Sequence, residues 1–133
     1  MEVSVDDHCF VCGSENAAGL KAHFDIDHVR HRAICTIRIK DIYQGWKGMV
    51  HGGIIAALVD EAGIYACRSF GEHFVTAELN IKYKAPVPID QDLIVSAEVI
   101  ESRRRIFSVV GKIELAGKVL VESQSRIFAV AES

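Results

Sequence analysis

His51-Gly52-Gly53 opens an apolar run, Ile54-Ile55-Ala56-Ala57-Leu58-Val59, that ends in two adjacent acids, Asp60 and Glu61. Paired glycines at a helix start let another group approach the backbone closely and leave amide N–H groups pointing outward. Those amides, with the positive end of the helix dipole behind them, can hold a developing negative charge. A carboxylate deep in an apolar helix is unfavourable unless something uses it. An oxyanion donor and a carboxylate are the two parts that acyl transfer needs.

The spacing of these parts predicts a dimer. Gly52 and Asp60 lie eight residues apart, which along one helix is about 12 Å. Both groups must come within about 3 Å of the same reacting atoms. One helix cannot deliver both, whereas two antiparallel helices related by a two-fold axis can, giving two equivalent sites. The face around Asp60 carries Gly53, Ala56, Ala57 and Gly63, with Ile64 and Cys67 beyond, and residues this small admit a second element. Glu61 sits about 100° round the helix, near Ile54, Leu58 and Tyr65, and is the alternative acid.

The elements that position these residues follow from periodicity. Leu20 to Ile26 and Ala33 to Ile39 read as strands, joined by the polar segment 28–32. A turn-rich loop, 41–48, precedes a helix from Gly52 to about Phe70, with Ile55, Val59, Ala62 and Ala66 on one face and Gly71 as its stop. Strands follow over Phe74 to Ala85, from Leu93 through Val99, over Ile106 to Leu115 and over Val119 to Val130, with Ala116-Gly117-Lys118 as a hairpin turn. The order predicts an α+β fold: one long central helix wrapped by a curved antiparallel sheet of about six strands.

Length and composition narrow the function. The 133 residues make one domain, 1–133, half hydrophobic and a quarter charged. A formal net charge of −3 gives no reason to expect nucleic acid or an anionic membrane as partner. With no membrane-length apolar run and an acidic start, the chain reads as cytoplasmic. Cys9, Cys12, Cys35 and Cys67 do not make a disulfide framework. Cys9 and Cys12, with His8 beside them, are half of a zinc pattern; no second close pair completes it, so the expectation is no metal and sulfurs packed as small hydrophobes.

Three segments carry a resemblance. They are Cys9-Phe10-Val11-Cys12-Gly13 with Asn16 and Gly19-Leu20; Gln44-Gly45 through Gly48-Met49-Val50-His51-Gly52-Gly53 to Asp60-Glu61-Ala62; and Thr76 to Val87. On these the chain resembles the hotdog-fold thioesterases, and within them the group related to the phenylacetate-degradation thioesterase. The resemblance implies hydrolysis of acyl-CoA thioesters, without metal or cofactor, by a homodimer or a dimer of dimers. It implies that Asp60 is nucleophile or general base, that the Gly52 amide binds the thioester oxygen, and that Thr76 orients the water or the carboxylate. His51 reads as a donor toward the carbonyl or as a packed capping residue. Several relatives carry an Asn or Gln amide at the position of Gly45 that assists the oxyanion; here the glutamine stands one place earlier, at Gln44.

Substrate contacts are expectations of the same kind. The 3′-phosphate of CoA could meet Arg103, Arg104 and Arg105 at a strand-to-strand turn, with Lys82 and Lys84, on one face of their strand, as alternatives. The loop bearing Tyr43 and Trp46, together with the helix and Gly53, would line the acyl pocket. A non-catalytic acyl-CoA-binding module and a hotdog dehydratase or hydratase are the other readings. The second is the weaker, since the loop at Gly45-Trp46-Lys47-Gly48 lacks the proline of those enzymes.

Overall fold

In a computed structural model, which describes residues 1–132, the helical period beginning at Gly52 forms α1, Gly52–Cys67. Ile55, Leu58, Val59, Ala62 and Ala66 are buried along it, the spacing of a helix lying on a sheet. Before α1 come β1 (Glu2–Val3), β2 (Asp25–Asp27) and β3 (Arg32–Ile37). After it come β4 (Phe74–Tyr83), β5 (Leu93–Arg103), β6 (Ile106–Leu115), β7 (Lys118–Ala129) and β8 (Ala131–Glu132). Six strands make one sheet in the order β2-β3-β5-β6-β7-β4, with antiparallel neighbours throughout. β1 and β8 form a separate parallel pair.

Alternation sets which face of the sheet meets the helix. Val121, Ser123, Ser125 and Ile127 of β7 are buried while Glu122, Gln124 and Arg126 are exposed. Leu93, Val95 and Ala97 continue that buried layer on β5, and Val109 and Ile113 on β6. The helix lies close to β7 because Gly63 has no side chain: a Cβ there would stand 3.0 Å from Ile127 Cδ1 and 3.4 Å from Ser125 Oγ. The predicted hairpin is present, with Ala116 at φ 50 and Gly117 at φ 83, the two left-handed residues of a tight turn.

Two local expectations are corrected. Leu20 to Phe24 is not strand, because its backbone serves another partner: Leu20 N–H donates to the Phe10 carbonyl at 2.7 Å and Ala22 N–H to that of Val11 at 2.8 Å. Only Asp25–Asp27 remains free to pair with β3. The helix ends at Cys67, not near Phe70, and Gly71 does not cap it. Ser69 and Phe70 N–H groups turn to the carbonyls three residues back, and the Ser69 hydroxyl donates to the Ala66 carbonyl at 2.7 Å, tightening the chain out of the α-helix.

β4 positions the site from the other side. It is an edge strand, with no second strand partner among the described residues. Its last residue, Tyr83, donates its hydroxyl to the Gly52 carbonyl at 2.9 Å, so the strand returns to the start of α1.

Candidate active site

His51 is the N-cap of α1. Its backbone is extended, φ −59 and ψ 137, and its carbonyl accepts the Ile54 and Ile55 N–H groups. Its ring Nδ1 accepts the Gly53 N–H at 2.8 Å. An accepting Nδ1 carries no proton, so the neutral ring holds its proton on Nε2 and has that donor left to give. Capping and donating are therefore compatible in one residue. The Gly52 N–H, first in the helix, lacks an intrahelical acceptor and has none elsewhere among the described residues. Gly52 and Gly53 are both exposed.

Two buried side-chain oxygens have no hydrogen-bond partner among the described residues: Asp60 Oδ1 and Thr76 Oγ1. An unsatisfied buried polar atom destabilises by about 1–3 kcal/mol, so each requires a reason to be there. Thr76 stands at a register shift in β4, between Thr76 and Glu78, a bulge of the kind that re-aims side chains beside functional sites. Asp60 lies on the open side of α1 with Gly53, Ala56, Ala57 and Ile64, all partly or fully exposed. Gly63 and Cys67 do not share that side as the spacing suggested. Both are buried, Gly63 against β7, because they fall on the sheet-facing flank.

Glu61 points to a different neighbourhood. Its Oε2 accepts the Cys9 thiol at 3.2 Å, and the Cys12 sulfur lies in the same cluster. Burial, and then the charge of Asp60, push the Glu61 carboxyl above its ordinary range, against the hydrogen bond from Cys9 that lowers it. Burial pushes the Cys12 thiol up to about 12. Read along the chain, Cys9 and Cys12 are a pair without partners. The third donor escapes such a reading, because Glu61 is 52 residues away from Cys9 and only the tertiary fold joins them.

The remaining candidates divide into near and far. Gln44 Oε1 accepts the Gly48 N–H at 3.1 Å, which closes its own loop. Gly45 backs directly onto His51: a Cβ there would lie 3.2 Å from both Cα and Cδ2 of the histidine, so a side-chain amide at this position would press on the ring. Tyr43 is tied to the N-terminal segment, its hydroxyl donating to the Ala18 carbonyl at 2.6 Å, and its carbonyl accepts the His51 N–H. Trp46 is 81% exposed on the loop. Lys84 pairs with Glu122 at 3.1 Å. Lys82 lies with Asn80, Lys112, Arg30 and Arg32 along an open cavity of about 690 Å³. Arg103 ends β5, and Arg104 (φ 59) and Arg105 form the turn into β6. That turn pairs through β7 with the Phe74 end of β4, opposite the Tyr83 end that meets Gly52. Within one chain the arginines and the helix start are thus at opposite ends.

Comparison with known proteins adds a family to this geometry. The family described as Thioesterase superfamily matches residues 47–122, from the loop before His51 through part of β7. Acyl-coenzyme A thioesterase THEM4 of Rattus norvegicus is 34% identical over 103 residues, covering 74% of this chain and 44% of that protein. The chain spans about half the length of the curated relatives it matches. A crystal structure described as a thioesterase superfamily protein superposes with a TM-score of 0.84 at 28% identity, over 93% of this chain and 61% of that one. A mutant of the phenylacetic acid degradation protein PaaI from Thermus thermophilus has the same fold, with a TM-score of 0.75 at 19% identity, over 84% of this chain and 95% of that one.

Proposed function

The chain belongs to the thioesterase superfamily, and from that premise we propose that it hydrolyses an acyl-CoA thioester to the free acid and CoA. The observation that carries this is the unpartnered, buried carboxylate oxygen of Asp60 on a strip of small residues. The same helix supplies the second half of the reaction's needs, a helix start with an uncommitted Gly52 amide. As the C–O bond forms, negative charge moves onto the thioester oxygen, where the Gly52 N–H and the helix dipole stabilise it. The C–S bond then breaks and the CoA sulfur leaves. Where Asp60 has taken a proton from water, it returns that proton to the departing sulfur. Where Asp60 has itself attacked, water hydrolyses the acyl-aspartyl anhydride, which frees the acid, restores the carboxylate and supplies the proton for the sulfur. Asp60 drives the first step either by taking a proton from water or by attacking the carbonyl carbon itself. His51, through Nε2–H, is a second donor to the oxygen, and the Thr76 hydroxyl orients the water or the carboxylate.

The site in this reading is shared by two subunits. Gly52 and Asp60 of one helix are about 12 Å apart, too far for one carbonyl. Antiparallel helices meeting along Gly53, Ala56, Ala57 and Asp60 bring the amide of one subunit to the acid of the other. The free edge of β4 supplies a second pairing surface, since an unpaired edge ten residues long invites a strand. The assembly is a homodimer or a dimer of dimers. The CoA phosphates would meet Arg103, Arg104 and Arg105, Lys82 or Lys84 of either subunit, and Gly53, Tyr43 and Trp46 would border the acyl group. We assign no cofactor to the reaction and place it in the cytoplasm. No helix among the described residues is long and apolar enough to cross a membrane.

The test is CoA release from a panel of short, long and aromatic acyl-CoAs. The best of them should turn over at about 1 s⁻¹ or faster. CoA bound without release from any of the panel would replace the hydrolase with an acyl-CoA-binding module.

A further inference from the structure

Residues 7–22 fold into a tight knuckle whose sulfurs converge on the second acid of α1. Gly13 N–H donates to the Cys9 carbonyl at 2.8 Å and Glu15 N–H to that of Asp7 at 3.0 Å. Asn16 holds the knuckle from inside, its amide donating to the His8 carbonyl and its Oδ1 accepting the Ala18 N–H, both at 3.1 Å. Gly13 is obligatory: a Cβ there would lie 2.5 Å from the Asp7 carbonyl oxygen and from the Cys9 nitrogen. This rigid turn sets the Cys9 and Cys12 sulfurs and a Glu61 carboxylate oxygen within 4.8 Å of one another.

The geometry points to a soft divalent cation site, zinc by its donor set, made by Cys9, Cys12 and Glu61. Tetrahedral zinc with bonds of about 2.0–2.3 Å holds its ligand atoms within about 4 Å of each other, and the separations here need little adjustment to meet that. Two thiolates and a carboxylate suit zinc over the hard cations calcium and magnesium. On binding, each thiol gives its proton to solvent and the cation takes its place. The fourth position opens on the exposed side of Cys9 and takes water. Around the ligands the fold provides support. Tyr65, on the turn of α1 that follows Glu61, is fixed by stacking on Phe24 at 5.0 Å between ring centres. The Arg68 guanidinium lies 4.8 Å over the Tyr65 ring, where its charge offsets the excess negative charge of the site. The site staples the N-terminal knuckle to the helix beside Asp60 and takes no part in the hydrolysis.

The experiment loads reduced, full-length protein with zinc, dialyses it and measures metal per chain, then substitutes cobalt and records its spectrum. About one equivalent per chain is expected, with the near-ultraviolet band of cobalt bound to thiolate. Cys12→Ser should abolish both. Glu61→Gln, which keeps shape and knuckle, should weaken zinc binding by about tenfold or more. Wild-type protein that retains no zinc, a cobalt spectrum without the thiolate band, binding untouched by Glu61→Gln, or a Cys9–Cys12 disulfide formed in preference to the metal complex would each overturn the site. None of these readouts depends on turnover, so failure here leaves the proposed hydrolysis untouched.

Discussion

Asp60→Asn is expected to lower kcat for thioester hydrolysis by about 10²–10⁴-fold, the range lost when a positioned base or nucleophile is removed. The fold should not suffer. The native carboxylate has a buried oxygen with no partner, and a neutral amide of the same shape relieves the penalty for burying that charge. The melting temperature should therefore hold or rise while activity falls, the signature of a residue kept for chemistry at the expense of stability. The adjacent acid gives the contrast. Glu61 is engaged by Cys9, and Glu61→Gln should leave kcat within an order of magnitude. A large loss at Glu61 with none at Asp60 would exchange their roles.

Gly52→Pro is the second large effect, expected to cost about 10²–10³ in kcat, the loss typical of one oxyanion donor. Proline deletes the N–H and little else at this position. The first residue of a helix has no intrahelical acceptor to lose, and proline is favoured there. The preceding residue must be extended, and His51 already is, at φ −59 and ψ 137. A Cβ at residue 52 meets the Tyr83 ring at 3.7 Å, an ordinary contact. Gly52→Ala, which adds the same Cβ but keeps the amide, should retain most of the activity. Equal losses in the two variants would mean that space at residue 52, not its N–H, is what matters.

How much of this was legible in the sequence depended on how local each signal is. The helix from His51 through Asp60 is legible because a cap and a helical period fall within ten residues, and one Asp60 oxygen is left without a partner among the described residues. The four strands after α1 are equally plain along the chain, since each carries its own alternation, but a simple meander of them is not what forms: β4 pairs with β7 at the far edge, not with β5. What failed was set by partners distant in sequence. Leu20 to Phe24 has a strand's composition, but its amides are taken by Phe10 and Val11. By spacing Gly63 belongs to the open strip, but it packs against Ile127 and Ser125 of β7 instead. Gly71 looked like a stop, yet Ser69 ends the helix earlier with its own hydroxyl. The meeting of Glu61 with Cys9 and Cys12 left no trace in any short window.

Complementation between two inactive subunits tests the shared site most directly. Coexpressed Asp60→Asn and Gly52→Pro chains would form hybrids in which one site has both an intact amide and an intact acid, while the other has neither. Random pairing makes half the dimers hybrid with one of two sites whole, so the mixture should recover about a quarter of wild-type kcat. Recovery no greater than the average of the two separate variants would contradict the account, because Gly52 and Asp60 would then have to serve one substrate from one chain.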